Sequence, residues 1–364
     1  MELKFLLIIL ISFCVAFLIS PFFIGFLYKF NIRRISKPDL EDKLPDRAVK
    51  FGTPIMGGAL ITGTVLLISS IFIRNWSMFV PFSLILIVGS VFGAIDEFIN
   101  TIGRKGFSFA VRDAVDKVVV NHKVIWVLYR AALVPWDAFK EVFRMMGSGQ
   151  RGLKSHDKFL MQLLTVSIGA YWIYFKLGYR ALWLPFVGEL YLGWFFLPLI
   201  VFLALWFANA FGITDGMDGL SAGLHTISFL GYGALALMMG QYQLAFFCAA
   251  VVGAELAFLY FNIYPARLEM SDVGTLPLGI IFVFVAVLLN REVSLLLIGG
   301  VFMIEILSSF FQVWSVKLRK KRILLVAPIH HHFEKLGWHE TKVTSRFWLL
   351  NALLVIAGLS VCLL

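Results

Sequence analysis

Five carboxylates stand in apolar surroundings, where a charge is costly unless it is paired, hydrated or bound to a metal. Asp96 and Glu97 close the run Phe-Gly-Ala-Ile-Asp-Glu, Asp215 and Asp218 lie in Thr-Asp-Gly-Met-Asp-Gly, and Asp272 lies in Met-Ser-Asp-Val-Gly-Thr. Such oxygen donors suit Mg²⁺, a hard cation that takes one or two carboxylates and fills its shell with water and substrate phosphates. Gly216, Gly219 and Gly274 would let backbone approach phosphate oxygens closely. One Asp-Gly alone is an ordinary turn; three loops that each deliver carboxylates call for chemistry. Two basic elements accompany them. Lys50 opens Lys-Phe-Gly-Thr-Pro-Ile-Met-Gly-Gly, where it could hold a phosphate or simply mark a helix end, and Lys158 precedes a long apolar run. His330, His331 and His332 are consecutive. Adjacent residues point about 100° apart on a helix and oppositely on a strand, so three in a row rarely share one ion. Hydrogen bonding to phosphate, or proton transfer near neutral pH, is the better reading. Phosphoryl transfer needs mainly positioning and charge neutralisation. Lys50, Lys158, the histidines and one metal ion supply both.

The elements that position these groups must sit in lipid. Of 364 residues 60% are hydrophobic, the mean hydropathy is +0.87, and 15% are charged, against roughly 25% in a soluble domain. Apolar runs near the ~20 residues that cross a bilayer fall at 5–29, 55–73, 79–96, 159–177, 194–211, 220–239, 243–262, 276–290, 294–316 and 346–364. The expected fold is an all-α polytopic membrane protein of about ten transmembrane helices. Loops 31–54, 97–158, 263–275 and 317–345 hold 25 of the 32 Lys and Arg residues. The positive-inside rule makes that side cytoplasmic, which leaves both termini outside and the catalytic loops on the cytoplasmic face. The net charge of +10 then reflects these loops and anionic lipid, not nucleic acid. Cys14, Cys248 and Cys362 lie in apolar runs without metal-type spacing, so neither a disulfide nor a zinc site is expected. The first run is too long for a signal peptide and lacks a clear cleavage site. The chain reads as one domain, 1–364, with a cytoplasmic surface insertion at about 101–150. Within it, residues 108–146 carry helical periodicity interrupted by Pro135. Two amphipathic helices on the membrane surface fit this pattern, as does a helical hairpin packed against the catalytic loops.

The motifs resemble those of the phospho-N-acetylmuramoyl-pentapeptide transferases, within the polyprenyl-phosphate hexosamine-1-phosphate transferase superfamily. The similarity rests on Gly-Thr-Pro-Ile-Met-Gly-Gly at 52–58, Thr-Asp-Gly-Met-Asp-Gly-Leu at 214–220, Phe-Asn-Ile-Tyr-Pro-Ala-Arg at 261–267, and Ala-Pro-Ile-His-His-His-Phe-Glu at 327–334 followed by Gly337 and Trp338. It covers nearly the whole chain outside 101–150. The resemblance implies a multi-pass enzyme of the bacterial inner membrane. It would move phospho-MurNAc-pentapeptide from UDP-MurNAc-pentapeptide to undecaprenyl phosphate, giving the first lipid intermediate of peptidoglycan synthesis and UMP, with Mg²⁺ as cofactor. A homodimer is implied as well. By the same resemblance Asp272 is the Mg²⁺ ligand, and Asp96, with Glu97 beside it, deprotonates the lipid phosphate. Asp215 and Asn262 hold the nucleotide side, while Lys50 and His330 face the phosphates. Lys158 matches the basic residue entering the fourth span, and Asn209, Asp218, Gln312, His331 and His332 join the substrate-binding set.

Several positions depart from the family pattern. Glu97 stands for Asp, Asn100 for Lys, Gly212 for Asn and Ser271 for Gly. Glu269 stands for a Phe expected at the uracil ring, and loop 97–158 is longer than usual. These changes keep two other readings in view, a related UDP-hexosamine-1-phosphate polyprenyl transferase and a catalytically weakened homologue or scaffold; a transporter whose acids carry ions is a third, from another class. Acids gathered at span ends argue for interfacial chemistry over the mid-span charges of a transporter. Direct attack by the lipid phosphate and a covalent carboxyl intermediate fit the same inventory.

Overall fold

A computed structural model describes residues 1–34, 52–101 and 155–364. Lys50 and nearly all of the expected insertion at 101–150 lie outside the described residues. Away from water, backbone amides must be satisfied within their own segment, so long apolar runs fold as helices. A helix falls on each of the ten apolar runs: α1 (Glu2–Lys29), α2 (Gly58–Phe72), α3 (Trp76–Thr101), α4 (Ser155–Tyr171), α5 (Phe196–Thr214), α6 (Leu220–Met238), α7 (Tyr242–Asn262), α8 (Asp272–Leu288), α9 (Gly300–Arg319) and, after a short α10 (Ile329–Lys335), α11 (Glu340–Leu363). Seven of them (α1, α3, α5, α6, α7, α9 and α11) are long and apolar enough to cross a membrane, while α2 and α8 are shorter apolar helices. The protein is thus a multi-pass, all-α membrane protein.

Helices that are apolar all round belong in the interior. Accordingly α8 is buried continuously from Val273 to Val287, between α5 and α3, and α7 packs between α1 and α6. The outer faces of α1 and α11, with Leu10, Leu18, Phe22, Leu349 and Leu353 exposed, are left for lipid. Small residues let the backbones around the start of α8 come close. A Cβ on Gly58 of α2 would lie 2.1 Å from the Gly274 nitrogen, and one on Gly93 of α3 would lie 2.4 Å from the Asp272 carbonyl oxygen.

Two features go beyond the expected elements. Beyond α4 and its π-helical extension Trp172–Lys176, an antiparallel hairpin pairs β1 (Ala181–Leu184) with β2 (Gly188–Tyr191) at the end of the bundle away from Asp272. There the Trp183 amide donates to Glu292 Oε2 (3.2 Å) and the Arg291 guanidinium lies 4.3 Å over the Trp183 ring. The second feature is a pair of acids besides the five carboxylates, which lie at or beside helix ends. Glu255 and Glu305 are fully buried inside α7 and α9.

Candidate functional site

Three helices converge on one lysine. The last turns of α3 present Asp96, the first turn of α4 presents Lys158, and α8 opens with Asp272. An acid in the first turn of a helix faces the positive end of its dipole. Lys158 Nζ lies 2.5 Å from Asp96 Oδ2 and 3.3 Å from Asp272 Oδ2. Asp96 is buried, whereas the Asp272 side chain is 38% exposed. Glu97, one position further on, is half-buried. Gln162 lines the same cleft one turn along α4. It exchanges two amide hydrogen bonds with Asn209 of α5, at 3.0 and 3.1 Å. Asn209 thus supports the cleft through Gln162, a residue that sequence reasoning did not single out.

The Asp272 oxygens are not equivalent. Oδ2 faces Lys158, while Oδ1 faces Gly212, where a Cβ would lie 3.4 Å away. The missing side chain leaves room beside Oδ1. Among the described residues no three His, Cys, Asp or Glu side chains gather as a closed metal cage. One open carboxylate fits Mg²⁺, which keeps several waters and takes phosphate oxygens, better than it fits a cation that needs an all-protein shell.

The turn after α5 brings Asp215 and Asp218 beside the loop that precedes α8. Asp215 Oδ2 accepts from the Ser271 amide (3.1 Å). Asp218 Oδ2 accepts from the Ala266 amide (2.9 Å), its own amide donates to Glu340, and its carbonyl takes the Thr344 hydroxyl. Asn262 accepts from the Gly219 amide (3.0 Å) and donates to the Leu268 carbonyl (2.8 Å). Asp218 and Asn262 therefore hold the two motif loops together. Glu269 pairs with Arg34, Nη1 to Oε1 at 2.7 Å, and its backbone bonds Pro54 and Gly57. The Glu269 backbone thus ties the Gly-Thr-Pro loop to the loop before α8, and the carboxylate that stands for the expected Phe adds Arg34, in the segment after α1.

Burial, and then the negative charges of Glu269 and Asp272, push the Asp215 carboxyl up to about 7, against the Ser271 amide and Arg34. The sign follows from linkage. Between the ordinary value of 3.8 and about 7 the unfolded chain ionises while the folded chain keeps the proton. Stability is therefore lost as pH rises through that window. Asp215→Asn keeps the acceptor for Ser271 and removes this loss. The variant is expected to melt a few degrees above the parent at about pH 8, with the gain vanishing near pH 4, in detergent melts followed by fluorescence. A gain independent of pH would contradict the assignment.

The histidines ride on α10, which presents the three rings to three different neighbours. His330 Nδ1 lies 2.8 Å from Glu305 Oε2 of α9, both side chains fully buried. His331 Nδ1 lies 2.8 Å from Glu334, and His332 Nδ1 accepts from the Leu325 amide (3.2 Å). Gln312 is committed likewise: its amide takes the Ile323 and Leu324 N–H groups and donates to the Leu324 carbonyl. His330 Nε2 is buried without a hydrogen-bond partner among the described residues. It faces the Asp215 turn, where a Cβ on Gly216 would lie 2.5 Å from it. A ring held at one nitrogen by a carboxylate, with the other turned to a glycine, is arranged to donate to an anion or to move a proton. Glu305 is the member that sequence reasoning missed. Its signal was a lone carboxylate midway along an apolar helix, which implies a partner.

Residues 148–290 match the sequence model of Glycosyl transferase family 4. A phospho-N-acetylmuramoyl-pentapeptide-transferase of Geobacillus sp. (strain WCH70) is 33% identical over 99% of this chain and 98% of its own length. The enzyme of that name from Halalkalibacterium halodurans is 32% identical over 97% of this chain and 96% of its own. That from Levilactobacillus brevis is 41% identical over 66% of this chain and 73% of its own.

Proposed function

The chain belongs to the phospho-N-acetylmuramoyl-pentapeptide-transferase family, and from that premise we propose that it transfers phospho-MurNAc-pentapeptide from UDP-MurNAc-pentapeptide to undecaprenyl phosphate. An oxygen of the lipid phosphate bonds to the sugar-linked phosphorus, the bond from that phosphorus to the bridging oxygen breaks, and UMP leaves. The observation that carries the reading is the meeting of Asp96, Lys158 and Asp272 from three helices within 3.3 Å. Asp96, at the inner end of the cleft, accepts the proton of the lipid phosphate. Lys158 neutralises the carboxylates and can turn towards phosphate oxygens. Asp272 Oδ1, beside Gly212, would hold Mg²⁺, which when bound neutralises the charge on the diphosphate oxygens. His330 Nε2 donates to a phosphate oxygen from the side of the Asp215 turn, and Glu305 keeps its ring in place. By the family resemblance Lys50, outside the described residues, would add a cation facing the phosphates.

In this reading the helices on all ten apolar runs, the shorter α2 and α8 included, span the bacterial inner membrane, with both termini outside. The basic loops, the site and the insertion at about 101–150 face the cytoplasm, as the charge bias of the loops supports. By family resemblance the enzyme works as a homodimer. The mid-helix carboxylates do not favour a transporter, because Glu255 and Glu305 are sealed from solvent and each faces a histidine.

The test is UMP release by purified protein in detergent from UDP-MurNAc-pentapeptide and undecaprenyl phosphate. Turnover is expected only with both substrates and Mg²⁺. A folded protein that releases UMP from another UDP-hexosamine but not from this one would move the assignment to the related polyprenyl transferases.

A further inference from the structure

A second buried polar chain lies deeper in the bundle. His225 of α6 and Glu255 of α7 are both fully buried, with His225 Nδ1 3.0 Å from Glu255 Oε1 and Nε2 3.1 Å from Ser221 Oγ. Glu255 Oε2 has no hydrogen-bond partner among the described residues. A half-satisfied carboxyl group in an apolar core is costly, and apolar residues of similar volume commonly replace such a group without loss of stability. Stability alone is therefore a poor account of its presence. No substrate reaches Ser221, which is wholly buried, so the chain is not a nucleophilic triad.

Its placement suggests what it does. Ser221 lies in the first turn of α6, directly after the Asp215–Gly219 turn. The His225 ring lies flat on Phe211, centroids 4.2 Å apart and planes at 21°, and Phe211 lies on Phe302 at 4.3 Å and 26°. The Phe211 carbonyl accepts the Asp215 amide. Phe302 is three residues before Glu305 on α9, and Glu305 faces His330. The stacked rings thus join α6, α5 and α9 about one turn beneath the Asp215–Gly216 turn and the Glu305–His330 pair. Close-packed rings have few alternative arrangements, so a shift of one is passed on to its neighbours.

We propose that Ser221, His225 and Glu255 form a buried positioning chain that sets the Asp215–Gly216 turn against His330. None of the three touches substrate; they act through Phe211 and Phe302. The kinetic consequence rests on the transferase reading, whereas the geometric consequence does not.

The experiment compares the parent with the double variant His225→Phe, Glu255→Leu, which fills the space with apolar groups. A role in stability alone is met by that replacement. The positioning role predicts a melting midpoint close to the parent's, a kcat for UMP release at least ~10-fold lower with KM within about 2-fold, and displaced ¹⁵N ring signals of His330, assigned through His330→Gln. A kcat equal to the parent's, or His330 signals unmoved, overturns the proposal. If the parent itself releases no UMP, the transferase reading fails, and the His330 signals alone decide the positioning chain. Should the double variant not fold, Glu255→Gln and Glu255→Met carry the same comparison. The amide still bonds His225 and is expected to keep kcat and the His330 signals, while Met is expected to lose both; identical behaviour of the two overturns the proposal.

Discussion

Asp272→Asn is expected to lower UMP release by at least ~10³-fold while leaving the melting midpoint within a few degrees of the parent. The substitution preserves shape, so the packing of the start of α8 against Gly58 and Gly93 survives. What disappears is the one partly exposed carboxylate of the lysine cluster, with its open oxygen beside Gly212. A neutral amide is a weak ligand for a hard cation, and losing a charge set where transition-state charge develops typically costs 10²–10³-fold or more. The readout is kcat across a Mg²⁺ titration. Parent-like turnover in the variant would remove Asp272 from the metal site.

Lys158→Met is the second large effect. One ammonium lies within 3.3 Å of two carboxylates, one of them buried. Met keeps the length of the stem and deletes the charge that Asp96 and Asp272 share. Removing one partner of a buried ion pair typically costs about 3–5 kcal/mol, and Asp272 being partly exposed places this case at the lower end. Turnover is expected to fall by ~10²-fold or more. Adding Asp96→Asn to Lys158→Met should recover much of the melting midpoint, because the buried carboxylate that lost its ammonium is now neutral, but none of the turnover. Recovery of both would mean that Lys158 serves stability alone.

The helices were legible because apolar runs of bilayer length have no other way to satisfy their backbones. The hairpin was not, because Ala-Leu-Trp-Leu and Gly-Glu-Leu-Tyr are only four residues each and sit beside a long apolar run that dominates the pattern. In the candidate site, Asp96, Lys158 and Asp272 were visible as charges against apolar surroundings, and they meet. The partners that complete the arrangement were hidden, since each lies far along the chain. Nothing local says that Glu305 faces His330, that Gln162 faces Asn209, or that Glu269 reaches back to Arg34. Glu269 is the instructive case. Read alone it is a charge where an aromatic ring was expected, and read with Arg34 it is half of an ion pair that holds the loop before α8 to the segment after α1. His225 and Glu255 were passed over for a similar reason: each is a single polar residue in an apolar helix, and only the packing of α6 on α7 pairs them.

The hydrogen-only positions around the start of α8 bear on how this protein could escape an inhibitor. Gly58 and Gly93 carry no chemical group, yet each lets a neighbouring helix backbone touch the segment that presents Asp272. A saturation library should therefore show columns that accept glycine alone at positions that offer a ligand no side chain. The same columns limit drift: the bundle has no small sideways adjustment that would move the Asp272 carboxylate out of a bound molecule's reach and keep the helix in place. A compound anchored on that carboxylate would face resistance chiefly from the softer rim, such as the Arg34–Glu269 crossing, where side chains can be exchanged without parting two backbones.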